Sequence, residues 1–352
     1  MIERYIKNDL SLRRYRLFKQ QKLSTLSLIL LLLAVFFSFS AELWSNNRPL
    51  LLKHSGKIFF PVLKDYHPTE FGREDILFMD YRSLEFKESD WAIWPVVNWN
   101  PFESNKEVEV YPASPSTKNW MGTDDRGRDV FARILYGFRF SIGYAVLVWF
   151  CAMVLSVILG GTMGYLGGMT DIVGQRLLEI WESVPVFYLL LILVSIFNPS
   201  LWMLVLLSTL FGWMNMSRYI RGEFLKNRNM EYVEAAKALG VNTSRVLFVH
   251  ILPNSLVPIV TFSPFIIAGH ITGLTSLDYL GFGLSPPTPS WGELLSQAQK
   301  YFTTAWWLAV YPSLALFFTL VCLGFVGTGV RKAFDPRSAL PPGRRSDATK
   351  GT

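Results

Sequence analysis

Carboxylates and guanidinium groups gather in two polar stretches of this chain, and their types define the chemistry open to it. In Glu231–Asn254, EYVEAAKALGVNTSRVLFVHILPN, the carboxylate of Glu234 stands beside Ala235 and Ala236, side chains small enough for a close backbone approach. That combination suits a charged contact with a partner surface. In Asn119–Arg139, NWMGTDDRGRDVFARILYGFR, acidic and basic residues alternate at spacings that allow a mutual ion-pair network. No G-x-x-x-x-G-K-S/T phosphate loop occurs, so the chain cannot bind and hydrolyse ATP as a P-loop protein. It also has no HExxH zinc helix and no GxSxG nucleophile elbow. The ionisable residues inside its apolar runs are too few for an evident catalytic pair. Cys151 and Cys322 lie within apolar runs, with no disulfide framework and no metal spacing, so no metal and no cofactor is expected.

The element that must position Glu234 is a short helix, Met230 to Leu239. Asn229 is its candidate N-cap, Glu231 falls in the favourable first turn, and Gly240 supplies a left-handed exit. A helix of about ten residues is marginal in water and needs a docking surface to persist. Leu252–Pro253 fits the start of the following helix, where a missing N–H costs little.

Both polar stretches are embedded in a chain built of apolar runs. Of 352 residues, 51% are hydrophobic, and they come in nearly uncharged runs of about twenty, enough to cross ~30 Å of hydrocarbon. The formal charge of +7 is spread beside these runs rather than clustered on one domain, which is a topology signal and not a nucleic-acid footprint. Residues 1–22 form a basic N-terminus, with Arg4, Lys7, Arg13, Arg14, Arg16, Lys19 and Lys22. A first span follows at 23–44. A signal peptide is the competing reading, but AELWSNN lacks a small-x-small cleavage site, so the span is expected to be uncleaved. Residues 45–138 hold no spanning run, are rich in Pro and Trp, and include the alternation Lys106–Tyr111, which reads as a strand. A small strand-containing extracytoplasmic insert is expected there; a floppy linker is the alternative. Further spans are expected at about 141–165, 176–197, 201–220, 252–274 and up to Val330. Gly160, Gly164 and Gly168, four apart, allow close helix approach. Asp171 is placed to cap the third span. Glu182, deep in that span, is expensive unless paired, protonated or wet; a partner subunit or Arg176 could satisfy it. His270 reads as a hydrogen-bonded packing residue, and residues 338–352 as a disordered tail.

The stretch Glu234, Ala235, Ala236, Gly240, Leu252, Pro253 resembles the cytoplasmic coupling motif of bacterial ABC importer permeases: Glu-Ala-Ala, three residues, Gly, nine residues, an aliphatic residue, one more, Leu-Pro. His250 stands where the aliphatic residue is usual. Gly122, Thr123, Asp124, Gly127, Arg128 and Asp129, with Arg133, Tyr136, Gly137 and Arg139, resemble the segment preceding the core of the peptide- and nickel-type permeases, with Asn119 and Met121 departing from it. Thr275–Gly292, including Gly281, Gly283, Pro286, Pro287 and Pro289, matches a third segment of the peptide importers, although Leu274 replaces their usual Glu. The resemblance covers about residues 119–337, and the insert together with this third segment points to the branch of microcin C and oligopeptide uptake.

The resemblance implies an all-α polytopic membrane protein of the type I ABC permease kind, with six transmembrane helices: a core over 139–337 carrying five of them and a coupling helix at 230–241. It further implies a bacterial inner-membrane location with both termini cytoplasmic. The partners would be a second homologous permease, cytoplasmic ABC ATPase subunits, a periplasmic solute-binding protein and the lipid bilayer. Glu234 would pair with a basic or N–H group of the ATPase, while the Asp124–Asp129 segment either acts in transport or only fixes how the chain lies on the membrane face. ATP hydrolysis would sit in partner subunits, and the substrate-binding residues and the solute stay open. An ATP-independent carrier or channel is the alternative; a membrane enzyme is a second rival.

Overall fold

The computed structural model describes residues 8–335 apart from 75, 78, 85, 88, 198 and 199. Arg4, Lys7 and the expected tail at 338–352 lie outside the described residues. The described residues divide into two compact units, the first drawn from 1–31, 143–273 and 318–352 and the second from 32–142 and 274–317.

In chain order, α1 (Asp9–Gln20) is capped by the Asn8 side chain and is followed after Gln21 by α2 (Lys22–Phe39) and the short α3 (Ala41–Trp44). Strands β1 (Leu51–His54), β2 (Lys57–Phe59) and β3 (Trp91–Ile93) come next. Then follow α4 (Val130–Leu166), α5 (Gly168–Glu182), α6 (Val186–Ile196), α7 (Leu201–Gly212) and α8 (Met214–Asn227). The remainder is α9 (Glu231–Ala238), α10 (Thr243–Arg245), a π-helical stretch Val246–Ile251, α11 (Leu252–Ser255), α12 (Val257–Tyr279), α13 (Trp291–Lys300) and α14 (Trp306–Phe334).

Among the described residues, α2, α4, α12 and α14 are each long and apolar enough to cross a membrane. The expected third span is bent by 66° between α5 and α6. Pro185 stands at that bend; its ring removes a helical N–H and drives the residue before it away from helical geometry. The expected fourth span is interrupted at Trp213, whose backbone nonetheless stays right-handed (φ −80°, ψ −21°). The Trp213 carbonyl is shared there: it accepts Ser217 N at 3.0 Å and Ser156 Oγ at 2.7 Å. Helix α4 begins eleven residues before the expected start at Ser141, because the polar residues of its first turns are paired, as described below.

Within the first unit, Gly160 and Gly164 lie directly under α8. A Cβ at Gly160 would stand 2.9 Å from Ser217 Oγ, and one at Gly164 2.7 Å from Phe224 Cβ. Gly168 does not continue this contact: nothing lies within 4 Å of its would-be Cβ, and its φ of +54° serves the turn into α5 instead. Asp171 is not a cap either. Gly167 holds the N-cap position of α5, and Asp171 receives Arg221 of α8 in a bidentate pair, Nη2 at 2.6 Å. Glu182 Oε2 accepts Arg218, and its Oε1 is buried with no hydrogen-bond partner among the described residues, while Arg176 pairs with Glu179. The ring of His270 packs over Gly212, and its Nε2 has no hydrogen-bond partner among the described residues.

Within the second unit, the three strands form an antiparallel sheet in the order β2-β1-β3. Leu52 and Phe59 are register partners and point into a small core with Phe71, Tyr81 and Leu84. Lys106–Tyr111 is not a strand; it forms turns and bends. Alternation there has no core to serve: Val110 is 72% exposed, and the Tyr111 hydroxyl folds back to the carbonyl of Asn105.

Candidate coupling element and ion-pair knot

The helix α9 begins one residue later than expected. Met230, not Asn229, is its N-cap, and no side chain caps it. Its C-terminus is closed fully: Gly240 (φ +74°) donates to Lys237 O at 3.0 Å and Val241 to Ala236 O at 3.1 Å, the paired bonds of a Schellman motif. Val233 and Ala236 form the inward face, packed with Ile220, Phe224, Val246 and Ile251. Ala236 therefore serves the chain's own core rather than a contact surface. Glu234, Ala235 and Gly240 are exposed, as is Leu239 at 84%.

A polar clamp ties α9 to its neighbours. Tyr232 donates to Asn227 Oδ1 at 3.1 Å, Asn227 Nδ2 reaches Ser255 Oγ at 3.1 Å, and Asn254 Nδ2 donates to the Tyr232 hydroxyl at 3.4 Å. The π turn at Val246–Ile251 follows from Pro253 at the second position of α11. A proline cannot donate to the carbonyl four residues back, and its ring crowds that carbonyl, so the preceding turn widens; Leu252 N bonds Leu247 O, five residues back. This exposes Phe248 (67%) and Val249 (56%).

The Asp/Arg stretch closes into a knot in the second unit. Asp124, wholly buried, accepts Arg126 N and Arg128 N, each at 2.9 Å, and Arg128 Nε at 2.7 Å. Arg133, also wholly buried, has its Nε 3.3 Å from Asp124 Oδ2, an electrostatic contact without hydrogen-bond geometry. Its Nη1 donates to Pro101 O at 3.0 Å and to Pro287 O at 3.4 Å. Glu293 of α13 accepts Arg128 Nη2 at 2.9 Å and also Arg133 Nη2. Two carboxylates thus face two guanidiniums. Burial works against the charge of Arg128, but Asp124 and Glu293 outweigh it and hold its pKa above the ordinary value.

Asp129 lies outside this quartet. Its Oδ1 accepts Ala132 N at 2.8 Å, capping α4, and its Oδ2 accepts Asn119 Nδ2 at 2.8 Å; Asn119 Oδ1 in turn accepts Asn105 Nδ2 at 2.7 Å. Burial pushes its carboxyl up to about 6 against these hydrogen bonds. Thr123 exchanges two bonds with Ala113 (2.9 and 2.8 Å), and its carbonyl accepts Trp307 Nε1 at 3.0 Å. Gly122 and Gly127 both take φ +77°, with Trp307 and Tyr111 occupying the space a side chain would need.

The Gly281–Trp291 segment is wound around Asp278. Its Oδ1 accepts Leu284 N at 2.6 Å and its Oδ2 accepts the Ser290 hydroxyl. Gly281 turns at φ +81°, and Gly283 lies against Asp278. Pro287 and Thr288 offer carbonyls to Arg133, and the carbonyl of Pro289 lies 3.7 Å from the would-be Cβ of Gly137. Pro286 joins Pro287 through a cis peptide bond. Arg139 bridges back to Glu42 with two bonds of 2.8 Å. Sequence reasoning missed Glu293 and Asp278. The spacing Ser290-x-x-Glu293 carried a signal, since Ser290 caps α13 through Glu293 N at 3.3 Å.

Several apolar helices of membrane length, with buried ion pairs holding a loop between two of them, define a polytopic membrane protein. The chain belongs to the family of binding-protein-dependent transport system inner membrane components, which matches residues 152–339. It is 39% identical over 335 residues to the inner membrane ABC transporter permease protein YejE of Escherichia coli (strain K12), covering 93% of this chain and 97% of that one. It is 38% identical over 357 residues to the peptidoglycan transport system permease protein YejE of Agrobacterium fabrum, covering 93% of each. Against the oligopeptide transport system permease protein OppC of Haemophilus influenzae it is 32% identical over 240 residues, 68% of this chain and 75% of the relative. This chain is therefore the permease component of a binding-protein-dependent ABC transporter, a multi-pass inner-membrane protein. The family supplies the membrane component of the transporter and not its ATPase.

Proposed function

We propose that this chain is one of two permease subunits in an ATP-driven importer of peptides or peptide-like solutes, and that α9 couples it to a cytoplasmic ATPase. Six crossings are inferred, with α5–α6 as the third and α7–α8 as the fourth, and both termini cytoplasmic. Residues 45–138 then face a solute-loaded binding protein. The peptide class rests on the names of the relatives, which act on oligopeptides or peptidoglycan.

One observation carries the coupling role: α9 is anchored on one face by Val233 and Ala236 and leaves Glu234, Ala235 and Leu239 exposed on the other. A helix this short persists because α8 and the π turn hold it, so a push on its exposed face is passed to α8 and α11. Closure of two ATPases would tilt those helices and alternate the pathway. The exposed carboxylate of Glu234 supports a charged contact with a basic or N–H group.

The test uses the reconstituted transporter. Glu234→Ala is expected to leave membrane insertion and ATPase assembly intact while uptake per ATP falls at least tenfold. Normal uptake with normal ATPase activity in that variant would remove the coupling role. Labelling of a cysteine at Ala238 from the outer side of the membrane would reverse the topology.

A further inference from the structure

We propose that α1 and the adjoining ends of α2 and α14 form a binding site for the headgroup of an anionic phospholipid. This goes beyond the transport reading and does not depend on it. The helix α1 is held in place within the first unit. Arg14 lies over the Phe334 ring at 4.2 Å, Lys332 Nζ donates to Gln21 Oε1 at 3.3 Å, and Phe18 packs where Gly329 leaves room, 2.9 Å from the Cβ that a larger residue would carry. The start of α2 packs there too, with the Ser24 side chain against Gly329.

This docking gathers charge. Arg13, Arg16, Lys19 and Lys22 are exposed along α1 and the first residue of α2, and Arg331 and Lys332 are exposed in the last turn of α14. Within residues 9–22 and 331–335 the acids are Asp9 and Asp335. The cations sit where two membrane-length helices begin and end, so they lie at headgroup depth when those helices cross a bilayer.

An apolar surface adjoins the charges. Leu10 is 55% exposed on α1, and Leu23 and Leu26 are 60% and 53% exposed just beyond Lys22. Exposed basic residues and exposed leucines on the same helices fit a ligand with an anionic head and a hydrocarbon tail. An acidic protein surface would match the charges and leave the leucines unused. A free phosphate would do the same.

The experiment uses the full chain purified in detergent, with phosphatidylglycerol or phosphatidylcholine of equal acyl length added. Retained lipid is read by native mass spectrometry and the thermal unfolding midpoint is followed. The wild-type chain is expected to retain phosphatidylglycerol about tenfold better, with the preference fading at high salt. The triple variant Lys19→Gln, Lys22→Gln, Arg331→Gln should lose it. The charge-keeping triple variant Lys19→Arg, Lys22→Arg, Arg331→Lys should keep it, which separates charge from damage to the fold. Equal retention of the two lipids by the wild type, or an undiminished preference in the neutral variant, overturns the proposal. Displacement of the lipid by millimolar inorganic phosphate would assign a free-phosphate site instead. Loss of ATPase co-purification in the neutral variant with lipid preference intact would assign a protein partner.

Discussion

Arg133 and Glu293, 160 residues apart in sequence, form an ion pair in which the guanidinium is wholly buried. The pair fixes α13 and the carbonyls of Pro287 and Thr288 against the first turns of α4, all within the second unit. A buried quartet of two acids and two bases costs desolvation that its own attraction only offsets, so its value lies in fixing one arrangement.

Removing one member exposes that cost. Glu293→Ala leaves Arg133 buried with Asp124 as its one remaining carboxylate partner among the described residues and is expected to destabilise the chain by about 3–5 kcal/mol. The thermal midpoint of the detergent-solubilised protein should fall by several degrees. The double variant Arg133→Met, Glu293→Leu should recover most of that loss, since the charge and its partner leave together. A double variant no better than the single one would show that the carbonyl bonds to Pro101 and Pro287 matter more than the pair.

The Gly281–Trp291 loop should respond to a single methyl group. A Cβ at Gly283 would stand 2.6 Å from Asp278 Cγ and 2.7 Å from its Cα, both inside contact distance. Gly283→Ala must therefore displace the loop or the Asp278 side chain that holds Leu284 N. A cost of about 1–3 kcal/mol is expected, with faster proteolytic cleavage between 281 and 290. Cleavage at the wild-type rate would mean that the loop is not organised on Asp278.

The sequence was informative where local chemistry decides. The exit at Gly240 and the apolar runs of α2, α12 and α14 follow from residue type and periodicity alone. Pairings between distant segments were not legible: Asp171 reads as a cap until α8 brings Arg221 to it, and Glu182 finds Arg218 rather than its neighbour Arg176. Gly168 and Lys106–Tyr111 misled for a related reason. A spacing of four or an alternation of two says what a segment can pack, and among the described residues no surface faces Gly168 or Val110. In the second segment of the site, alternating charges announced a network, but its keystone Glu293 lies in a helix that nothing local connects to Asp124.

Asp129 gives the second unit a pH dependence of definite sign. Its carboxyl is raised from 3.8 to about 6, chiefly by burial, so the folded state favours the protonated form. The stabilisation that follows is present below the unfolded value and is lost as pH rises from about 4 through about 6, a change of up to roughly 3 kcal/mol. In Asp129→Asn, an amide oxygen can still cap α4, and this dependence disappears. The difference in unfolding midpoint between wild type and Asp129→Asn should therefore shift against the wild type between pH 4 and 7. A pH-independent difference would mean that the Asn119 and Ala132 bonds keep the carboxylate ionised throughout.

Ala235 and Ala236 separate folding from docking. They are neighbours in sequence, yet Ala236 is 7% exposed against Phe224 and Val246, whereas Ala235 lies on the open face beside Glu234. Ala236→Leu inserts three heavy atoms into a filled contact and is expected to cost about 1–3 kcal/mol in the isolated chain. Ala235→Leu should leave the unfolding midpoint within about half a kcal/mol of wild type, since surface substitutions away from special features rarely exceed that. If the open face seats an ATPase, the same Ala235→Leu holds the two backbones apart and weakens co-purification of the complex at least tenfold. An intact complex carrying Ala235→Leu would move the contact off α9, to the exposed Phe248 and Val249 of the π turn.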